Sequence, residues 1–111
     1  MTADGSVVVR DWRQMKAVLT VARDTGQVPL LVTPENAAAT YGAGYLAALQ
    51  DRAREEFPDV AFTLVVDCGD TPGYALACLR AGVHTISMAE HNEKIADIAR
   101  QMGAELVRRP T

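Results

Sequence analysis

The sequence is poor in the residues that build covalent and metal frameworks. It contains two cysteines and two histidines, with no Cys-x-x-Cys or Cys-x-His cluster, so nothing in it indicates a disulfide framework or a zinc finger. The Gly-x-Gly-x-x-Gly pattern, the Walker loop and the Gly-x-Ser-x-Gly elbow are also absent. Nucleotide binding and serine hydrolysis therefore have no support.

Positive charge and long apolar runs are also lacking. The formal net charge is −3 at pH 7, which argues against a nucleic acid or an acidic bilayer as a partner. No window approaches the ~18 apolar residues of a membrane-spanning helix, and the start from Met1 to Ser6 is polar and acidic rather than cationic. We therefore expect a cytoplasmic protein.

What is present is an ordinary globular composition, with 49% hydrophobic and 23% charged residues. Its length predicts a single α/β domain over residues 1–111 and excludes a complete (βα)8 barrel, which needs roughly 250 residues. Strand-like runs at 6–10, 28–32, 61–66, 84–88 and 105–108 alternate with four helical patterns. This alternation predicts a parallel five-stranded sheet, either half of a (βα)8 barrel or a flavodoxin-like open sheet.

Two details refine the helical patterns. The first pattern begins after Asp11, a good N-cap residue, and ends at Gly26. Gly42 and Gly44 lie inside the second pattern, where they indicate close helix packing or a local break.

Polar side chains collect where the strands end, and parallel sheets bind ligands at that edge. Asp67 directly follows a largely apolar strand. We therefore expect a desolvated carboxylate with a raised pKa, unless a cation or an amide N–H group interacts with it. Asp67 is the candidate catalytic residue. The candidate ligand-binding residues are Arg10, Thr33, Cys68, Asp70, Glu90 and His91.

Several of these residues also have a structural interpretation. Asp11 and Asp70 favour helix capping, and His91 is typical of a turn. Cys68 would act as a nucleophile only with a base such as His91 within hydrogen-bond reach. Zinc could bind to Cys68, Asp70, Glu90 and His91, but a lone histidine is a weak metal signal, so we expect neither a metal nor a cofactor.

Five runs of the chain carry a family resemblance: residues 28–33, 45–49, 57–60, 65–69 and 79–82, above all Val65-Val66-Asp67-Cys68-Gly69. In register, these runs resemble the N-terminal half of class II, metal-dependent fructose-bisphosphate and tagatose-bisphosphate aldolases, roughly from Val8 to Val107. The resemblance implies that Asp67 stands in the place of the family's catalytic aspartate. It also implies that Cys68 replaces a metal-ligating histidine, and that Val65 replaces the histidine two residues before the aspartate.

In that family the other metal ligands and the phosphate-binding loops come from later strands. We therefore expect an aldolase-related half-barrel that binds a small anionic or sugar-type ligand, or serves a structural role, without independent aldolase activity. Two alternatives stay open. One is a lyase that is active only as an assembled oligomer, and the other is a receiver-like signalling module, suggested by Asp67 after the third strand and Arg109-Pro110 after the fifth.

Half of a barrel leaves two sheet edges and one face without a partner layer. We expect that face to carry an alternate set of apolar side chains such as Val7, Val9, Leu30, Val32, Leu64 and Val66. Trp12, Tyr41 and Tyr45 indicate further apolar surface. We therefore expect a homodimer that buries more than about 1,200 Å² in total.

Overall fold

The computed structural model describes residues 5–110 as one parallel sheet with helices between its strands, which confirms the predicted α/β class. The strands are β1 Val7–Val8, β2 Leu30–Val32, β3 Thr63–Asp67, β4 Thr85–Ser87 and β5 Glu105–Val107. The helices are α1 Trp12–Thr25, α2 Ala37–Tyr41, α3 Ala43–Glu56, α4 Pro72–Arg80 and α5 Glu93–Gln101. Residues 1–4, which form most of the polar start, and residue 111 lie outside the described residues. None of the helices described is long and apolar enough to cross a membrane.

The strands lie in the sheet in the order in which they follow in the chain, β1-β2-β3-β4-β5. This is the order of half a (βα)8 barrel, whereas a flavodoxin-like sheet would place β2 outside β1. Right-handed crossovers that all step in one direction put every helix on the same face. Accordingly, α1 packs on α3, α3 on α4 and α4 on α5, and none of the helices described between residues 5 and 110 forms a layer on the other face of the sheet.

Local sequence signals explain where the helices begin and end. Asp11 caps α1 by accepting a hydrogen bond from the Gln14 N–H at 2.9 Å, and Gly26 ends α1 with φ at 74°, both as predicted. The second helical pattern is interrupted at Gly42, whose φ of 87° separates α2 from α3. A Cβ at Gly42 or Gly44 would meet no heavy atom within 4 Å, so a local break, not close packing, accounts for the glycine at position 42.

The register corrects the predicted composition of the uncovered face. Val7 pairs with Leu31 and Leu31 with Leu64, so Leu30 and Val32 lie on the opposite face from Val7 and Leu64. Val7, Val9, Leu64 and Val66 pack in the core beneath the helices. The alternating pattern could not separate the two faces, because a central parallel strand is apolar on both.

The helix-free face is concave. The residues that share its central rows are Val32, Val65, Asp67, Thr85 and Ser87, and all five are buried. Arg109, which follows β5, donates from Nη2 to the carbonyl oxygen of Thr33, which follows β2, at 2.9 Å. A flat sheet without a covering layer would leave these five side chains exposed. Their burial therefore indicates that the sheet curves and that the side chains inside the curve cover one another.

Candidate functional site

A cleft of about 460 Å³ opens at the carboxyl ends of β2 to β5. It is lined by Glu35 and Asn36 after β2, by Asp67, Gly69 and Asp70 at the end of β3, by Met88 and Ala89 after β4, and by Arg108 and Arg109 after β5. Loops from four consecutive strands thus meet at the edge where parallel sheets bind ligands.

Asp67 forms the floor of the cleft and is only 4% exposed. Its Oδ2 accepts hydrogen bonds from the N–H groups of Asn36 at 2.6 Å and Gly69 at 3.2 Å, and its Oδ1 accepts one from the Ser87 hydroxyl at 2.8 Å. The Asp67 N–H donates to Thr33 Oγ1 at 2.9 Å. Two main-chain amides and one hydroxyl group therefore stabilise this carboxylate by hydrogen bonds. Because a carboxylate accepts about four hydrogen bonds, about one position is left for a ligand.

Left-handed backbone at two residues brings these amides to the carboxylate. Asn36 has φ at 59° and Gly69 has φ at 62°. Asparagine tolerates this region better than most residues with a side chain, and glycine adopts it freely. A Cβ at Gly69 would overlap with Oδ1 of Asn36, so a larger residue would force the Asn36 side chain to rotate in addition to straining the backbone at position 69.

Two arginines supply the positive charge of the cleft. Arg108 is exposed, whereas Arg109 is half-buried and bonds to main-chain carbonyls of Thr33 and Pro110. Within residues 5–110, neither guanidinium forms an ion pair with a carboxylate, and neither does Asp67 with a cation. Opposite charges therefore line one cleft without neutralising each other in pairs.

Sequence reasoning did not place Arg108 or Arg109 at the site. The available signal was two consecutive arginines directly after the last strand of a parallel sheet. It also left out Asn36, whose role depends on its backbone conformation and gives no chemical signal in the sequence.

The structure brings together only part of the predicted site. Asp67 and Asp70 line the cleft, and Thr33 is buried beneath it, where it holds the main chain of Asp67. The predicted capping role of Asp70 is wrong, because Thr71 is the N-cap residue of α4. The Asp70 side chain instead accepts a hydrogen bond from the Thr71 hydroxyl at 3.4 Å.

Three other candidates lie away from the cleft. Glu90 and His91 line two smaller hollows beside it, and the His91 ring pairs with the Glu93 carboxylate at 2.6 Å. Arg10 is exposed and lines none of these hollows; its main chain bonds to Gln14 and Tyr45. Arg10, Glu90 and His91 therefore do not line the cleft that contains Asp67.

Cys68 lies on the helix side of the sheet, fully buried in the core with Cys78. Its thiol donates to the carbonyl oxygen of Val66 at 3.6 Å. The hydrogen bond with the Cys78 thiol, followed by burial, raises the pKa of Cys68. A protonated thiol enclosed by apolar side chains is a poor nucleophile, and His91, its expected base, pairs with Glu93 instead.

This placement predicts that both cysteines are inert in the folded protein. We expect neither thiol to react with a chromogenic aromatic disulfide in buffer and both to react in denaturant, because both side chains are inaccessible to the reagent. Absorbance after mixing counts the reactive thiols. Rapid labelling of either thiol in the native state would contradict the burial of that side chain.

The residues do not fit the divalent metal that class II aldolases use. Cys68, which stands in the place of a metal-ligating histidine, faces the helices rather than the cleft. Across residues 5–110, no three His, Cys, Asp or Glu side chains converge as ligands. The zinc site considered for Cys68, Asp70, Glu90 and His91 therefore has no geometric basis there.

Comparison of the chain with protein-family models gives no match, and comparison with curated proteins gives none either. The resemblance to class II aldolases stays a prediction.

Proposed function

We propose that this protein is an aldolase-related half-barrel that binds a small anionic or sugar-type ligand in the cleft and has no aldolase activity of its own. One observation carries the proposal. A buried carboxylate, Asp67, and two arginines without ion-pair partners, Arg108 and Arg109, line the same cleft at the carboxyl ends of parallel strands.

The chemistry of these groups favours a ligand with hydroxyl and anionic groups. The remaining acceptor position of Asp67 suits a hydroxyl donor, as on a sugar. Guanidinium groups bind phosphate and carboxylate through paired N–H donors, so Arg108 and Arg109 suit the anionic end. A short phosphorylated sugar carries both kinds of group.

The relation to aldolases is supported by the consecutive strand order and by the position of Asp67 at the end of β3. The proposed lack of activity is supported by the two positions where the family has histidines. Cys68 is buried under the helices, and Val65 is an apolar residue buried on the concave face. A receiver-like module loses support, because its doubly wound order differs from the order of this sheet.

Calorimetric titration with dihydroxyacetone phosphate tests the proposal. We expect binding to the wild-type protein and, for Arg108→Gln, a Kd raised by at least about tenfold, the ~1.4 kcal/mol scale of one charged contact. Arg80→Gln is the matched control, because Arg80 is exposed in the last turn of α4, at the opposite end of the sheet. Equal affinities in both variants would contradict the assignment of the arginines, and no binding would contradict the proposal.

A proton-exchange assay separates this function from an oligomeric lyase. An aldolase labilises a C–H bond of dihydroxyacetone phosphate, so we expect no exchange with solvent deuterium, with or without added zinc. Exchange that depends on protein concentration would favour the assembled enzyme.

The proposed assembly is a homodimer, in the cytoplasm and without nucleic acid or membrane partners. β1 and β5 are the edge strands of the sheet in the described residues. An apolar groove of about 730 Å³ beside β1 is lined in part by Val7, Val18, Val21, Val28 and Leu30. Free edges and exposed apolar surface both favour association. Light scattering at micromolar concentration is expected to give twice the mass of one chain. The mass of a single chain would overturn the dimer.

A further inference from the structure

The segment after β5 ties together two strands that are not neighbours. Arg109 bonds to the Thr33 carbonyl at the end of β2, and so passes the ends of β3 and β4. Pro110, the next residue, is buried. We refer to residues 108–110 as the strap, because they connect the two sides of the cleft.

Not every N–H donor of the Arg109 guanidinium has a hydrogen-bond partner in this position. Nη2 donates to Thr33, and Nη1 bonds only to the carbonyl of the adjacent Pro110, at 3.3 Å. The Nε–H group is buried and has no hydrogen-bond partner in the described part of the chain. A buried N–H without a partner is energetically costly, because it has lost its bond to water and gained none.

We propose that Arg109 recognises a phosphoryl group through its side-on pair of donors, Nε–H and Nη2–H, and that this binding displaces the Thr33 carbonyl and releases the strap. The proposal rests on the function proposed above and adds to it the recognising residue and a coupled movement. Two phosphoryl oxygens match the planar fork of a guanidinium, so the unused Nε–H gains a partner when the Thr33 contact is exchanged.

The neighbouring residue favours phosphate over carboxylate. Arg108 lines the same cleft and has no ion-pair partner in the described chain. A phosphoryl group carries a third oxygen that Arg108 can bind beside the Arg109 fork, whereas a carboxylate has only two oxygens. The carboxylates of Glu35, Asp67 and Asp70 line the same cleft. Thr33 is buried beneath the cleft, so its carbonyl loses the Arg109 donor when the strap moves and gains access to water only through that movement.

Nitrogen-detected titration of the full chain, labelled with ¹⁵N in all residues, tests the proposal directly. Inorganic phosphate, acetate and chloride are added separately at constant ionic strength. The Arg109 Nε–H signal is followed together with the exchange rates of the Arg108 and Arg109 main-chain amides, which are the strap amides because Pro110 has no N–H. We expect phosphate to shift the signal and to accelerate amide exchange in the strap. We expect acetate to need at least about tenfold higher concentration, and chloride, which cannot occupy both donors, to shift nothing.

Arg109→Lys supplies the matching variant, because it keeps the charge and removes the fork. Its Kd for phosphate should rise at least about tenfold, whereas Arg108→Lys should change it less than about threefold. If Arg109→Lys fails to fold, the phosphate titration of the Arg109 Nε–H signal in the wild-type protein is sufficient to test the proposal.

The outcomes separate this inference from the broader function. Phosphate that shifts the Gly69 amide but leaves the Arg109 Nε–H signal unchanged would overturn the inference and leave ligand binding in the cleft intact. A shifted Nε–H signal with unchanged strap exchange would overturn the coupled movement. No shift of any cleft signal with phosphate would overturn both the inference and the proposed binding of phosphorylated ligands.

Discussion

Replacing Asp67 by alanine is expected to lower the free energy of unfolding by roughly 3 kcal/mol or more. The Asp67 side chain receives the N–H groups of Asn36 and Gly69 and the hydroxyl of Ser87. Alanine leaves all three donors without this partner, and each buried donor left unpaired costs about 1–3 kcal/mol. Urea unfolding followed by circular dichroism measures the loss.

Asp67→Asn separates this structural role from ligand binding. One amide oxygen can still accept both backbone N–H groups, and the amide NH₂ can donate to the Ser87 hydroxyl, which turns round to accept. We therefore expect stability within about 1 kcal/mol of the wild type. The amide NH₂ replaces the carboxylate oxygen that has the free acceptor position, so the ligand hydroxyl loses a charged acceptor. Binding of dihydroxyacetone phosphate should therefore weaken at least about tenfold, which corresponds to ~1.4 kcal/mol.

Two results would contradict this assignment. Unchanged affinity in Asp67→Asn would mean that Asp67 only holds the loops together, and that the catalytic position implied by the aldolase resemblance does not carry over. Equal loss of stability in the alanine and asparagine variants would mean that the charge, rather than the hydrogen bonds, holds Asn36 and Gly69 in place.

Asp67 was predictable from sequence because its signal is local. An apolar run that ends in a carboxylate indicates both a buried strand and a polar group at its end. The helix boundaries at Asp11 and Gly26 were predictable for the same reason, since capping depends on one residue and its next turn.

The remaining features of the site depend on relations between distant residues. Arg109, after β5, bonds to the Thr33 carbonyl after β2, and no single strand encodes a contact between the ends of two strands that are not neighbours. Cys68 faces the helices because it is one residue beyond Asp67, and successive strand residues point to opposite faces. The sequence pattern places Asp67 and Cys68 at the end of the same strand. It does not predict which face of the sheet each side chain is on, because both faces of this sheet are buried.

Gly69→Ala is expected to lower the free energy of unfolding by roughly 1–3 kcal/mol. The substitution forces an alanine into φ near 62°, and its Cβ overlaps with the Asn36 side chain. The Asn36 side chain can rotate away from this overlap, so the main cost is the backbone strain at position 69, whose own N–H donates to the Asp67 carboxylate. We expect the affinity for dihydroxyacetone phosphate to fall with the stability.

Gly44→Ala is the control for Gly69→Ala, because Gly44 lies in α3 and a Cβ there meets nothing within 4 Å. An alanine inside a helix removes the entropic cost of glycine, so stability should rise by about 0.5–1 kcal/mol with binding unchanged. The two substitutions are expected to change the free energy of unfolding in opposite directions. This difference distinguishes a strained position from a general intolerance of alanine. A Gly69→Ala variant with wild-type stability and affinity would show that the loop after β3 accommodates alanine, and that the left-handed backbone at position 69 is not needed to hold the carboxylate in place.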